Sequence, residues 1–416
     1  MTGVADPAGT ALAWALLLLS TSAVLGLAIL LGGLAWVFAR APRLAALPGP
    51  CQGAEPAPDG TLTVVVPAYN EAANIGPCLS SLLASEPPCS HWRVLLVDDD
   101  SSDDTVTIGR QAASQALTEA SAAVERFAVL EAGPRPAGER WVGKTWPCTR
   151  AMEQIRSDWV LFVDADVRLQ PAALRRALAQ AVAEGADLLS LAPRLSCGCL
   201  AEWMVQPIMV SLLGLGFPIA AANDPASTVA FAAGPFMLFR RSAYEAIGGH
   251  RALAGEVVED LALARRIKET GHRLRYLLGL DAAELRMYAN FPALWEGWTK
   301  NWLLGLGGDV PAALGAAVVV PLMFSGPWLL APAAAIAALA VPAQRALLLA
   351  ALTLAVLGIG LQLALRLWMR SQFALPLRHW WLMGAGGLVV AAIGPTSVWR
   401  TRTGRGWTWK GRSLAG

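Results

Sequence analysis

Two textures alternate along this chain. Residues 11–38 form an uncharged apolar run that ends at Arg40 and Arg43. That is long enough to cross a bilayer, which takes roughly 20 residues. From residue 61 the pattern changes. Short apolar runs at 61–66, 93–98, 127–131, 158–163 and 187–192 predict buried strands, and the segments 71–84, 104–120 and 171–184 predict helices between them. Continuous apolar strands alternating with helices imply an α/β fold whose mostly parallel sheet is covered on both faces. Such a sheet binds ligands at the carboxyl ends of its strands. After Trp302 the apolar texture returns. Residues 310–341 are interrupted by Pro321, Pro327 and Pro332, spans fit 346–365 and 380–399, and a basic tail follows with Arg400, Arg402, Arg405, Lys410 and Arg412.

The organisation expected is an N-terminal anchor over 1–43, a Pro-, Gly- and Ala-rich linker over 44–60, an α/β domain over 61–302, and membrane helices with the tail over 303–416. A cleaved signal peptide competes with the anchor, but the run is long and no basic segment precedes it. Basic residues follow the first span, which places the α/β domain in the cytoplasm, at the inner membrane in a bacterium. A hairpin over 310–341, broken near Pro327, would return Arg345 and the tail to that side. A single span there would put them outside. Residues 200–221 are apolar, with Pro207 and Pro218 as breakers. They read as a helix lying in the membrane interface or as a buried core helix.

Composition narrows the class. The 416 residues are 55% hydrophobic, and mean hydropathy is +0.46, too apolar for an ordinary soluble enzyme. A net charge of +2 gives no basis for a nucleic-acid partner. The six cysteines form no paired zinc-type pattern and read as free thiols.

The chemistry sits at strand ends. Pro67-Ala-Tyr69-Asn-Glu71 follows the first strand, and the second ends in Asp98-Asp99-Asp100. Carboxylates there can accept from a base N–H and from ribose hydroxyls, although an Asp-rich turn also caps helices. Asp164-Ala-Asp166 follows the strand 158–163. Two carboxylates one residue apart at a strand end can share a hard cation, Mg²⁺ or Mn²⁺, with substrate phosphate completing its shell. Lys144 precedes the helix leading into that strand and is a candidate point charge for a diphosphate, or a surface lysine. Glu259-Asp260 opens a helix. Carboxylates there complement the helix dipole, and Asp260 is also the candidate base for an attacking hydroxyl.

In this order, over about residues 61–302, these motifs resemble the family-2 inverting glycosyltransferases of the GT-A fold. The resemblance implies that Glu71 and Asp99 hold uridine. It also implies that Asp164 and Asp166 hold ribose, metal and diphosphate, and that Asp260 is the general base of a single inverting displacement. The donor-binding set it suggests is Pro67, Tyr69, Glu71, Asp98, Asp99, Lys144, Asp164, Glu259, Lys300 and Trp302. Lipid-glycosylating members are the most similar. Asn223-Asp224-Pro225 and Ala232–Leu238 resemble the hopene-associated group, whereas Arg286-Met287-Tyr288 and Trp409-Lys-Gly-Arg412 resemble the carotenoid group. Ceramide glucosyltransferases and processive synthases carry Gln/Arg-X-X-Arg-Trp. Here the stretch is Glu296-Gly-Trp298-Thr-Lys300-Asn-Trp302, which reads equally as a diphosphate and acceptor motif or as an interfacial helix.

The expected function is transfer of one sugar from a nucleotide-sugar to a hydroxyl of a hydrophobic membrane acceptor. A processive polysaccharide synthase is the competing enzyme, disfavoured by the altered motif. A transporter is the non-enzymatic competitor, disfavoured because the spans read as free of ionisable residues.

Overall fold

A computed structural model describes residues 7–46, 60–117, 125–216 and 219–413. Most of the linker, with Cys51, and Pro218 lie outside these residues. The chain divides into two compact units. One comprises Arg40–Ser196 and Phe217–Met287, the other Met1–Ala39, Cys197–Gly216 and Tyr288–Ala415. Residues 200–216 and 288–302, placed by the sequence in the α/β domain, therefore cluster with the apolar helices.

The first unit is built on ten strands: β1 Thr61–Ala68, β2 His91–Asp98, β3 Phe127–Glu131, β4 Trp159–Val163, β5 Val167–Leu169, β6 Leu188–Ala192, β7 Arg194–Leu195, β8 Phe236–Arg240, β9 Leu274–Leu278 and β10 Ala283–Leu285. Seven form one sheet in the order β3-β2-β1-β4-β8-β6-β9, and β5-β10-β7 form a small second sheet. In the large sheet only β8 runs against its neighbours. The fold is thus α/β with a mostly parallel sheet, as the apolar runs predict. The reason is visible in β1. Val64 and Val66 enter the core on one face, Val65 the core on the other, and all three are fully buried. A strand covered on both faces has no polar side to reveal a period of two.

Register carries the functional residues to one edge. Ala68 lies opposite Asp98, and Asp98 opposite Glu131. Val163 at the end of β4 lies opposite Phe236 at the start of β8. The turns after β1, β2 and β4 and the segment before β8 therefore share the carboxyl edge.

Among the described residues, the second unit contains three helices long and apolar enough to cross a membrane, Pro7–Arg40, Pro342–Phe373 and Trp380–Thr403. A bent pair, Val310–Phe324 and Gly326–Ala340, adds to them. Here the structure corrects the hairpin: the chain bends by 53° rather than reversing. The break is at Ser325, whose hydroxyl donates to the Gly384 carbonyl (2.6 Å), while Pro327 starts the second half. A second correction concerns charge. The α-helix runs Arg345–Phe373, past the expected 346–365, so Arg366 lies inside it and is fully buried. The apolar stretch after 200 forms the helix Leu200–Gly216, which buries Glu202, Trp203 and Gln206.

The helix Met383–Thr403 is faced with glycine. A Cβ at Gly384 would meet the Trp328 ring at 2.7 Å, at Gly387 the Ser325 hydroxyl at 2.5 Å, at Gly394 the Ala313 carbonyl at 2.7 Å, and at Gly386 the Met204 carbonyl oxygen at 2.0 Å. Small residues allow helix backbones this close where lipid offers no hydrophobic drive for association. The Met204 contact is backbone and cannot yield. Gly386→Ala is therefore expected to destabilise the unit by about 1–3 kcal/mol, the cost of overpacking. Gly360→Ala, which meets nothing within 4 Å, should cost nothing. Thermal unfolding of the two variants in detergent compares them directly.

Candidate active site

The predicted carboxylates of the α/β unit sit at strand ends, in the turns that follow them, or in the first turn of a helix. After β1 the chain turns through Asn70, at φ 51°. The Asn70 side-chain carbonyl accepts from the Ser102 amide (2.8 Å), and its own amide donates to the Ser101 hydroxyl (3.0 Å). The Glu71 amide donates to Thr105 Oγ1 (2.8 Å). These bonds lock the first two turns together. Pro67 is buried in β1 opposite Val97, and Tyr69 is half-buried just beyond the strand.

Asp98 and Asp99 are both buried. Asp98 Oδ2 accepts from the Ser101 amide (3.2 Å), and its Oδ1 has no protein partner. Asp99 pairs with Arg135 at 2.6 Å, and Arg135 also donates to the Trp141 carbonyl at 2.7 Å. Sequence reasoning missed Arg135. It lies in a Gly-Pro-Arg-Pro stretch without periodicity, and no local signal ties it to an aspartate 36 residues earlier.

Lys144 is the centre of the site. Its ammonium pairs with Asp164 and, at 3.3 Å, with Glu259, and it reaches the Gly234 carbonyl at 3.4 Å. Burial by itself would lower its pKa, but the fields of Asp164 and then Glu259 outweigh that and hold it well above the usual lysine value. Asp164 is raised by burial, against the pull of Lys144. Asp166 is pushed up to about 8, first by burial and then by the charges of Asp164 and Glu71. Asp166 Oδ1 is buried with no hydrogen-bond partner.

Asp260 begins the helix Glu259–Glu269. Its Oδ2 accepts from the Gly234 amide (2.9 Å) and its Oδ1 from the Leu261 amide (2.8 Å). A Cβ at Gly234 would lie 2.9 Å from Oδ2, so this position must be glycine for the carboxylate to reach the backbone. Burial, then the neighbouring Glu259 charge, raise Asp260 to about 6. At the far end of the same helix the Lys268 ammonium donates to the carbonyls of Ala221, Ala222, Asp224 and Val229. It ties down the Asn223-Asp224-Pro225 segment that leads into Gly234, a role the sequence did not suggest.

Glu71, Asp164, Asp166, Glu259 and Asp260 thus act on one another's charge around the single ammonium of Lys144. Five carboxylates against one cation leave a local deficit of positive charge. With the unmet Oδ1 of Asp166, that suits a divalent cation. Among the described residues no three His, Cys, Asp or Glu side chains are grouped so as to hold a metal ion by themselves.

Lys300 and Trp302 are not among these groups. Both lie on the helix Phe291–Gly305 of the other unit. Lys300 Nζ sits 4.1 Å from the centre of the Trp409 ring, and Trp302 Nε1 donates to the Ala313 carbonyl (3.4 Å). Trp298 donates to Gln206 (3.0 Å) and packs beside Tyr288. The motif around Tyr288 and the one around Trp409 therefore both dock on this helix. The five cysteines among the described residues form no disulfide, and burial raises the Cys78 thiol to about 12.

The chain is 27% identical over 261 residues to a 4,4'-diaponeurosporenoate glycosyltransferase of Staphylococcus aureus (strain MRSA252), covering 62% of this chain and 65% of the relative. The form from strain USA300 is 28% identical over the same length. The match thus spans just under two thirds of those relatives. Among solved structures, a mannosyltransferase, PcManGT, from Pyrobaculum calidifontis in complex with GDP-Man and Mn²⁺ superposes with a TM-score of 0.45 at 18% identity, over 93% of this chain and 99% of that one. S. aureus TarS superposes with a TM-score of 0.40 at 19% identity, over 64% and 44%. The family model for glycosyl transferase family 2 matches residues 63–248, a span that runs from β1 through Gly234 and β8, and the chain therefore carries a glycosyl transferase family 2 domain.

Proposed function

We propose that this protein transfers one sugar from a nucleotide-sugar, a UDP-sugar by its resemblance to the family-2 glycosyltransferases, to a hydroxyl of a lipid or isoprenoid acceptor in the membrane, with inversion. The observation that carries the reading is the Asp260 carboxylate. It is held by two backbone amides and raised to about 6, so that it is ionised yet basic at neutral pH. The hydrophobic acceptor is supported by the apolar helices in the same chain and by the diaponeurosporenoate named for the relatives.

Glu71 and Asp99 receive the nucleoside, with Arg135 fixing the carboxylate of Asp99. Asp164 and Asp166 hold a Mg²⁺ or Mn²⁺ ion. The bound ion supplies Lewis-acid stabilisation of the departing diphosphate. Lys144 holds Asp164 and Glu259 in place through its ion pairs. The acceptor oxygen attacks the anomeric carbon as the bond from that carbon to the diphosphate oxygen breaks. Asp260 takes the hydroxyl proton, and the nucleoside diphosphate leaves with the bonding electrons. A single displacement from the far face inverts the anomeric centre.

Asp260 must be deprotonated to act, so turnover at saturating donor should rise with pH and reach half its plateau near 6. Asp260→Asn should lower turnover by about 10²–10⁴-fold, the usual contribution of a general base, while calorimetry shows unchanged nucleotide affinity. Loss of nucleotide binding with normal turnover would place the base elsewhere.

For the ion, Asp166→Asn should abolish Mn²⁺ binding and chelator-sensitive turnover. The raised pKa of Asp166 adds a second readout. In the metal-free protein the folded state holds this proton up to about pH 8, whereas an unfolded aspartate loses it near 4. Stability is lost between those values as pH rises. Metal-free Asp166→Asn should therefore melt higher than metal-free wild type at pH 8. An equal or lower melting point, with Mn²⁺ binding intact, counts against the assignment.

The domain faces the cytoplasm on this reading, because Arg40 and Arg43 follow the first span. Gln154→Cys adds a thiol at an exposed position of the α/β unit. It should react with an impermeant maleimide only after the membrane is opened, and labelling in intact cells would reverse the orientation.

A further inference from the structure

The strand β6 reads Leu188-Leu189-Ser190-Leu191-Ala192, and its serine is fully buried. Ser190 lies opposite Met237 of β8 on one side and Tyr276 of β9 on the other. A hydroxyl set among aliphatic side chains is costly unless it is hydrogen-bonded. Ser190 places both of its bonds on one residue. Its oxygen accepts from the Ala233 amide (2.8 Å), and it donates to the Ala233 carbonyl (3.0 Å).

That carbonyl is the other half of the group that holds Asp260. The Ala233 C=O and the Gly234 N–H belong to one planar trans peptide and point in opposite directions. Ser190 donates at one end of this peptide, and at the other end the Gly234 amide donates to Asp260 Oδ2 (2.9 Å). The peptide cannot twist about its own C–N bond, so a fixed carbonyl fixes the direction of the amide. Other bonds along the same stretch are longer. The Phe236 amide reaches the Ala233 carbonyl at 3.3 Å, Lys144 reaches the Gly234 carbonyl at 3.4 Å, and the Asp164 amide reaches the Pro235 carbonyl at 3.3 Å. A donor on a carbonyl also polarises the N–H across the peptide, and an N–H on a carboxylate favours its ionised form.

The remaining influences on Asp260 do not pass through this peptide. Glu259 on the same helix raises it, and Lys144 lowers it. Tyr276, raised by burial and then by the Asp260 charge, stays neutral. The Leu261 amide holds Oδ1 from within the helix. Among the described residues, Gly234 is the only donor to Asp260 from another element.

We propose that Ser190 is a positioning residue for the general base: through the Ala233–Gly234 peptide its hydroxyl aims the Gly234 amide at the Asp260 carboxylate. The proposal rests on the reading of Asp260 as that base. Ser190 touches no reacting atom and acts only through the peptide.

The test is a carboxyl-¹³C NMR titration of the aspartate-labelled full chain in detergent, with the Asp260 signal assigned by its loss in Asp260→Asn. Without the Ser190 hydroxyl the amide holds the ionised carboxylate less well, so the Asp260 midpoint should rise. In Ser190→Ala the rise should be about half a pH unit, about threefold in the acid constant. Ser190→Cys keeps a side chain of similar size with a weak donor and should move the midpoint in the same direction. It carries the test if Ser190→Ala does not fold. A lower melting temperature with an unmoved Asp260 midpoint would make Ser190 a structural hydroxyl only and overturn the proposal. The titration needs no substrate, so it separates the two readings. If the midpoint rises in Ser190→Ala while the rising limb of turnover against pH stays where it is, Ser190 keeps its hold on Asp260, and the assignment of Asp260 as the base falls.

Discussion

The candidate site depends on one buried ammonium. Lys144 acts on Asp164, Glu259, Asp166 and Asp260 alike, and its ion pairs with Asp164 and Glu259 join the turn after β4 to the start of the helix that carries Asp260. Remove that charge and two carboxylates from distant parts of the chain would repel across a poorly solvated gap. Coulomb attraction that counts for little at a surface therefore sets the geometry here.

The same interaction separates the roles of the acids. Asp164, in contact with the ammonium, is pulled back toward ionisation, while Asp166, without a partner for Oδ1, is left as the group that most needs a further cation. Asp260 is held apart from both by two backbone amides. Three aspartates within one charge network thus reach three environments by differences in what each one touches.

Much of this was legible in the sequence, for a physical reason. Strands buried on both faces must be apolar throughout, so β1, β2 and β4 announce themselves, and the acids directly after them can only lie at the ligand edge. Arg135, Gly234 and Lys268 were not legible, because each acts through a partner on another element: Asp99, the Asp260 carboxylate, and a set of loop carbonyls. Lys300 and Trp302 were legible only as a motif. Their motif resembles a diphosphate and acceptor site, yet the structure gives them partners in Trp409 and the Ala313 carbonyl. An amphipathic helix with tryptophans carries no mark of which unit it will join. Arg366 escaped notice because the span was drawn to end one residue before it.

The reversed strand β8 has a mechanical consequence. The chain leaves the sheet edge after β6, supplies the helix Leu200–Gly216 to the other unit, and returns to the same edge at β8. Where the two limbs of this excursion meet, the Ser190 hydroxyl donates to the Ala233 carbonyl (3.0 Å) and accepts from the Ala233 amide (2.8 Å). That stitch closes the neck of the excursion one residue before Gly234. Tension arriving along either limb is met as shear at the Ser190–Ala233 stitch before it reaches the amide that holds Asp260. The neck acts as a strain relief, letting a segment that packs with the other unit belong to the same chain as a carboxylate that must stay in place.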